Sequence, residues 1–522
     1  MGPGPLGRKG ATMTSTARAA ARTDHHDEDS AHLATLGYDY DQHFTRDMGF
    51  WGNIALGFTY LSPVVGVYTT LAPAMGIAGP GVVWWLLIAA LGQLMVALVF
   101  GEVVSTYPVA GGVYPWSRRL WGPKWGWLNG WVYSLAICVT IASVAYGAGP
   151  FLGALLGVEM SQQANVVIAL GTILLATLAN FGGTKLLSQI AFWGFVAEIV
   201  ATIAIGGWLL FAARKHDLSV LFTDFRSADL QSEQPFIIPF ALAAFMGIFL
   251  FYGFEACGDV AEEVKNPGRT IPRAMRMTIY IGGIASMFIA IGLVLAIPDY
   301  AAILNGTADD PIGELFLAVF GPVGFRVVMA VVCISFVSCV ISLQAAASRL
   351  LFSMGRDQAL PGWKLLGTFN ERFRVPPYAL IVAAVIPAVV IVGSLLSENA
   401  LLAIISFASF GVYLGFQMVV FAALYARTKG WAGRGKFKLG AWGWIVNVLA
   451  LAWGVFGMVI LAWPAGDETT PWFDKWIVLV SALVVVGVGV GVIYLVVAKP
   501  HLRSTAPHGD HHTGQIPVQR AD

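Results

Sequence analysis

The chain has 522 residues, of which 57% are hydrophobic and 12% charged. With its glycines counted, about two-thirds of it is apolar, against about half in soluble domains, and its charged share is about half the usual one. A soluble protein of this length needs several charged domain surfaces, so a multidomain soluble enzyme is excluded. The formal charge of +1 carries no overall basicity that would point to nucleic acid. Cys138, Cys257, Cys333 and Cys339 all sit in apolar stretches without a CxxC pair. They read as small buried side chains rather than disulfide or metal ligands, and neither a metal nor a cofactor is expected.

Residues 1–35 are rich in Gly, Ala, Thr, Ser, His and Asp and show no periodicity. They lack the apolar core of a signal peptide and read as a disordered cytoplasmic tail, with Met13 an alternative start. Twelve apolar runs follow, at roughly 50–75, 81–101, 125–150, 163–180, 189–213, 236–260, 274–297, 326–352, 377–396, 399–426, 441–465 and 475–498. Each is of the length that crosses a bilayer core and is continuous rather than alternating, which excludes a β-barrel. The expectation is an all-α polytopic membrane protein. Placing both termini inside puts all but five of the 31 Lys and Arg residues on the cytoplasmic side; Arg214, Lys215, Arg226, Arg326 and Lys475 fall outside. Trp121, Trp125, Trp127 and Trp131, with Trp463, Trp472 and Trp476, read as interfacial belts.

Two runs are interrupted near mid-membrane. The first contains Ser62-Pro63-Val64-Val65-Gly66, and the sixth contains Tyr252-Gly253-Phe254-Glu255. Proline removes a helix donor and glycine tolerates unwinding, and such irregular backbone survives at depth only inside protein or beside a wet cavity. Interrupted spans five apart are what inverted five-helix repeats place at a substrate site.

Three segments then carry a resemblance. They are Tyr107-Pro108-Val109-Ala110-Gly111-Gly112-Val113-Tyr114, the stretch from Phe251 through Glu255 to Ala261-Glu262-Glu263-Val264-Lys265-Asn266-Pro267, and Gly355-Arg356-Asp357-Gln358-Ala359-Leu360-Pro361. Together they resemble the amino acid–polyamine–organocation superfamily of secondary transporters over about residues 36–426, and the stretch from Gly37-Tyr38 through Phe58 to Ser62-Pro63 most resembles its branch of GABA, choline and related amine permeases. The resemblance implies a five-plus-five inverted repeat at 36–213 and 236–426, with broken helices one and six. Helices eleven and twelve and a basic loop occupy 427–498, and a cytoplasmic tail 499–522. It also implies alternating access to a midplane site. Where many members carry a Gly-Ser-Gly-type break, this chain has Ser62-Pro63-Val64-Val65-Gly66, so the donors offered to a substrate carboxylate are set differently.

The candidate substrate-binding residues are Ser62, Pro63, Val64, Val65, Gly66, Phe249, Tyr252, Gly253, Glu255, Gln344 and Tyr413. Charged groups at membrane depth are costly and usually functional. Glu255 matches a gate position in resembling permeases, with a structural hydrogen bond closing the broken helix as its alternative. Phe249 matches an aromatic lid over bound substrate, with a simple packing aromatic as its alternative. Glu198 reaches the place where some proton-coupled relatives carry a lysine in place of a sodium ion. It is a candidate coupling group, with pairing to a helix end or lining a cation site as alternatives. Asp259 shares a helix face with Glu255 and is a candidate gating group, pairing with Arg118 or Arg119. Gln417 is read with Gln344 and Tyr413 as a polar group between spans, and Glu102 as a structural residue. The run Gly487-Val488-Gly489-Val490-Gly491 lacks a preceding strand and reads as close helix packing, not a nucleotide loop.

The expected function is secondary active transport of an amino acid or small organic amine such as GABA, coupled to protons, across the cytoplasmic membrane. An exchanger or a sodium-coupled carrier is the alternative within the class, and a non-transporting membrane sensor the alternative from another class. The expected partners are the small-molecule substrate, protons and the lipid bilayer.

Overall fold

A computed structural model describes residue 44 and residues 46–504, apart from 309, 397–399 and 465–469. The expected tail at 1–35 and the alternative start at Met13 lie outside these residues. Among the described residues there is no β-strand; the two isolated bridges are Met48 with Val264 and Asn370 with Val375.

Among the described residues, eight helical stretches are long and apolar enough to cross a membrane: Phe50–Thr106, Pro123–Leu156, Gln162–Phe181, Gly183–Phe211, Pro267–Ala296, Pro311–Arg356, Phe407–Thr428 and Gly440–Leu461. The first holds both of the first two apolar runs. Shorter apolar helices, Ile237–Leu250, Pro377–Gly393 and Gly489–Ala498, fall on the sixth, ninth and twelfth runs. The sixth is short because the backbone leaves the helix after Leu250. The twelfth is divided by a wide π-type turn over Ser481–Val486.

The helices that position the site are numbered in chain order: α1 (Phe50–Leu61), α2 (Pro63–Ala78), α3 (Trp84–Thr106), α4 (Val113–Trp121), α5 (Pro123–Leu156), α6 (Gln162–Phe181) and α7 (Gly183–Phe211). After them come α8 (Ile237–Leu250), α9 (Ala256–Asp259), α10 (Pro267–Ala296), α11 (Pro311–Arg356), α12 (Pro377–Gly393), α13 (Ala400–Thr428), α14 (Gly443–Leu461), α15 (Val488–Ala498) and α16 (Pro500–Arg503). α5 packs on both α11 and α13, while α10 packs on α3, α7 and α1. α11 kinks at Gly321, where φ is 66° and a proline follows.

Trp127 is buried, donates Nε1–H to the Ala359 carbonyl at 2.7 Å, and stacks on Tyr494 of α15. It is therefore a packing residue and not part of an interfacial belt. Trp463 and Trp472 are exposed, as such a belt requires. A Cβ on Gly491 would lie 2.7 Å from the Trp131 ring, so the glycine run of the last helix is a packing face.

Candidate functional site at the crossing of two broken helices

The first break follows from Ser62-Pro63. Pro63 has no N–H and its ring disfavours a helical residue before it. Ser62 accordingly takes φ 41° and ψ 90°, ends α1 through its N–H to the Phe58 carbonyl, and caps α2 by accepting the Val65 N–H on its hydroxyl. Pro63 at the first position of α2 has no donor to leave unsatisfied. That leaves the Val64 N–H, which donates to Glu198 Oε1 at 2.8 Å. The Ser62 hydroxyl donates to the same oxygen at 2.8 Å. Glu198 comes from α7, is buried, and has a second oxygen, Oε2, with no hydrogen-bond partner. A carboxylate at a helix N-terminus is held both by hydrogen bonds and by the helix dipole.

The second break is built by Gly253, at φ 109°. Its missing side chain is required twice over. The backbone angle is one that side chains rarely adopt, and a Cβ there would lie 2.8 Å from the Leu61 nitrogen and 2.9 Å from the Tyr60 ring. The two breaks therefore touch. Glu255 closes its own break: Oε2 accepts the Gly253 N–H at 2.8 Å, and Oε1 accepts the Tyr133 hydroxyl of α5 at 2.7 Å. Asn53 of α1 adds a tie, donating to the Cys257 carbonyl at 3.0 Å. Cys257 is a buried free thiol.

Three aromatic rings line this crossing. Tyr252 sits between Tyr60, 6.1 Å away between ring centroids, and Phe249, 5.7 Å away, both edge-on. Phe249 is only half-buried. Gly66 approaches α8 closely, since a Cβ on it would meet the Leu250 side chain at 2.6 Å.

Other candidates lie further out. Gln344 is buried in α11 and donates to the Thr177 hydroxyl of α6 at 2.8 Å. Ser342, two residues earlier and so on the far side of the helix, is the one that reaches α1, 2.8 Å from the Thr59 hydroxyl. Tyr413 stacks on Phe416 and faces α14, where a Cβ on Gly457 would lie 2.8 Å from its ring. Phe416 in turn packs on Tyr133 and Phe254, which joins Tyr413 to the crossing at one remove. Gln417 packs against Gly454 of α14 in the same way.

Asp259 is fully buried, and neither of its carboxylate oxygens has a hydrogen-bond partner. The structure therefore does not join it to Arg118 or Arg119. Its carbonyl instead accepts the Gly111 N–H at 3.0 Å.

The ion pairs at this end of the molecule are made by the next residues along. Arg349 donates to Glu263 at 2.8 Å with both side chains buried, and the Thr184 hydroxyl also bonds to Glu263. Arg356 pairs with Glu262 at 3.2 Å, and Glu262 also accepts the Ala110 N–H. Glu102 pairs with Arg427 and accepts the Leu439 N–H, a structural tie from α3 to the chain beyond α13.

Tyr133, Thr59, Ser342 and the two glutamates Glu262 and Glu263 are the contacts that reading the residues in isolation passes over. The signal that singles out Tyr413, a polar group in an apolar span, applies equally to Tyr133.

A family model described as amino acid permease matches residues 48–490, which include both breaks, Glu198 and the ion-paired segment. The chain is 25% identical over 472 residues to amino-acid permease BAT1 of Arabidopsis thaliana, covering 85% of this chain and 90% of that protein. It is 24% identical over 471 residues to the amino-acid permease BAT1 homolog of Oryza sativa subsp. japonica, covering 85% and 89%. An uncharacterized amino-acid permease of Schizosaccharomyces pombe is 26% identical over 468 residues, covering 86% and 82%.

Proposed function

The chain belongs to the amino acid permease family, whose members are transporters rather than enzymes, and on that premise we propose that it carries an amino acid or small organic amine, of the GABA class, together with protons. The proposal includes twelve spans in a five-plus-five inverted repeat with two added helices, and a cytoplasmic membrane with both termini inside. The substrate sits at the crossing of the two breaks, bounded by Ser62–Gly66, Tyr252 and Gly253, with Phe249 as its cover.

The observation that carries the reading is the position of Glu198. Its Oε1 takes the hydrogen bonds of Ser62 and Val64 at the start of α2, the place where the half-helix favours an anion. A charged Glu198 fills that place itself. Protonation removes its negative charge and weakens its hold on the two donors, which then become available to a substrate carboxylate. Proton uptake and substrate binding are thereby linked at one set of donors. Glu255 holds the other break to α5 through Tyr133 and acts as the gate. On the inner side, Glu263–Arg349 and Glu262–Arg356 hold the path shut and part when the site opens inward. Asp259 is assigned a gating role through its buried carboxylate beside Gly111 and Gly112. Gln344 and Tyr413 act from behind the aromatic lining.

The test is uptake of labelled GABA, choline and a neutral amino acid into proteoliposomes, with and without an inside-alkaline pH gradient. Accumulation that collapses when the gradient is dissipated supports the reading. Uptake only into liposomes preloaded with a related amine would instead establish an exchanger, and binding without transport a sensor.

A further inference from the structure

A cavity of about 830 Å³ lies between the start of α5 and the chain that leaves α15, well away from the crossing of the broken helices. Its polar lining is basic: Lys124, Lys499 and His501 face it, and none of the described residues lining it is acidic. Its walls are Trp121 and Trp125 on one side and Val496 on the other. The tryptophan wall is rigid, because Trp121 and Trp125 pack ring on ring at 4.2 Å and Trp121 stacks on Tyr425 at 4.5 Å.

The placement of the charges is specific. Lys124 is the second residue of α5, and Lys499 is the first residue beyond α15. Both therefore stand at helix ends, where an apolar span gives way to the headgroup layer. Val496, 64% exposed, continues the apolar wall down the last helix. α5 has no side-chain cap, so backbone N–H groups of its first turn add to the positive character of the cavity floor.

His501 Nδ1 is buried without a hydrogen-bond partner. Burial pushes its imidazole below the ordinary value, and Lys124, Lys499 and Arg118 push it the same way. The cavity thus concentrates positive charge against an apolar wall at one membrane surface.

We propose that this cavity binds the phosphate headgroup of an acidic phospholipid, with Lys124, Lys499 and His501 around the phosphate and the acyl chains along Val496 and the last helix. A free phosphate would use the cations but leave the apolar wall bare. A zwitterionic lipid would use the wall but bring its own cation towards three basic groups. An anionic lipid satisfies both. Because the bound phosphate favours a protonated His501, binding takes up a proton and tightens as the pH falls below neutrality.

The test is native mass spectrometry of the delipidated full chain in detergent, titrated with phosphatidylglycerol and with phosphatidylcholine. The expected result is one phosphatidylglycerol held at least about tenfold more tightly than phosphatidylcholine, with the preference lost in the Lys124→Gln, Lys499→Gln double variant. Both lysines are exposed, so the double variant keeps its packing; His501→Gln is the second variant and removes the pH dependence of binding while leaving the fold intact. Equal retention of the two lipids, or a double variant that binds phosphatidylglycerol as the parent does, would overturn the proposal. So would displacement of the lipid by millimolar glycerol phosphate, which would mark a site for free phosphate compounds instead.

Discussion

Glu198 and Ser62 are 136 residues apart in sequence and share a 2.8 Å hydrogen bond at the point where α1 becomes α2. The same carboxylate oxygen accepts the Val64 N–H, so one side chain from α7 satisfies the start of a half-helix that its own sequence leaves open.

Glutamine and alanine at position 198 separate the structural part of this contact from the ionisable part. In Glu198→Gln the amide oxygen still accepts from Ser62 and Val64, so thermal stability in detergent stays close to that of the parent. Glu198→Ala leaves the buried Val64 N–H without an acceptor and costs about 1–3 kcal/mol. Thermal denaturation of the two variants side by side checks the ordering.

Tyr133→Phe removes the Tyr133 hydroxyl that donates to Glu255 Oε1 while keeping the ring and its packing on Phe416. A hydrogen bond contributes about 0.5–1.5 kcal/mol, so initial uptake rates fall by about two- to tenfold while the protein remains folded. Uptake at the parent rate in Tyr133→Phe would show that the gating proposed for Glu255 does not depend on α5.

Gly253→Ala forces a side chain into a φ of 109° and against the Leu61 backbone. It is expected to abolish transport and lower stability by more than 1–2 kcal/mol, an order of magnitude set by backbone strain (~1–3 kcal/mol). Gly171→Ala in α6, where a Cβ meets nothing within 4 Å, is the control and leaves both unchanged. Thermal melts and uptake assays on the pair make the comparison.

The Glu263–Arg349 ion pair makes a prediction of opposite signs. Arg349→Ala strands the buried Glu263 carboxylate and costs about 3–5 kcal/mol. Arg349→Met combined with Glu263→Gln removes both charges and recovers most of that loss, since a buried pair contributes little net stability. Recovery in the double variant is read as a return of the melting temperature.

The apolar runs are visible because span length and continuity are properties of one segment. Among the described residues, nine of the runs fall on eight helical stretches long enough to cross a membrane, and three on shorter apolar helices. What a hydropathy run does not report is where a helix stops being regular, and the sixth and twelfth runs give shorter helices for that reason. The breaks themselves were legible because Pro63 and Gly253 act on their own local backbone. Glu198 was legible as a costly charge at depth. Its partners were not, because a hydrogen bond from α7 to α2 depends on how two helices pack, which neither segment encodes alone. Gln344 shows the same limit: its polarity is plain in sequence, yet its amide faces Thr177, while the less conspicuous Ser342 faces α1. Helix periodicity does carry from Glu255 to Asp259, whose N–H donates to the Glu255 carbonyl, but the Asp259 carboxylate lies against Gly112 rather than Arg118 or Arg119, and the chain turns after α9. The charges that do pair are Glu262 and Glu263, brought to Arg356 and Arg349 by that turn.

The central claim is that the Glu198 carboxylate links proton uptake to substrate binding, and the most direct measurement compares two transport modes of Glu198→Gln in proteoliposomes. One is accumulation of labelled substrate driven by an inside-alkaline pH gradient; the other is exchange of labelled for unlabelled substrate without a gradient. The account predicts that gradient-driven accumulation is lost while exchange persists and no longer varies with pH. Accumulation by Glu198→Gln with the parent's pH dependence would contradict it.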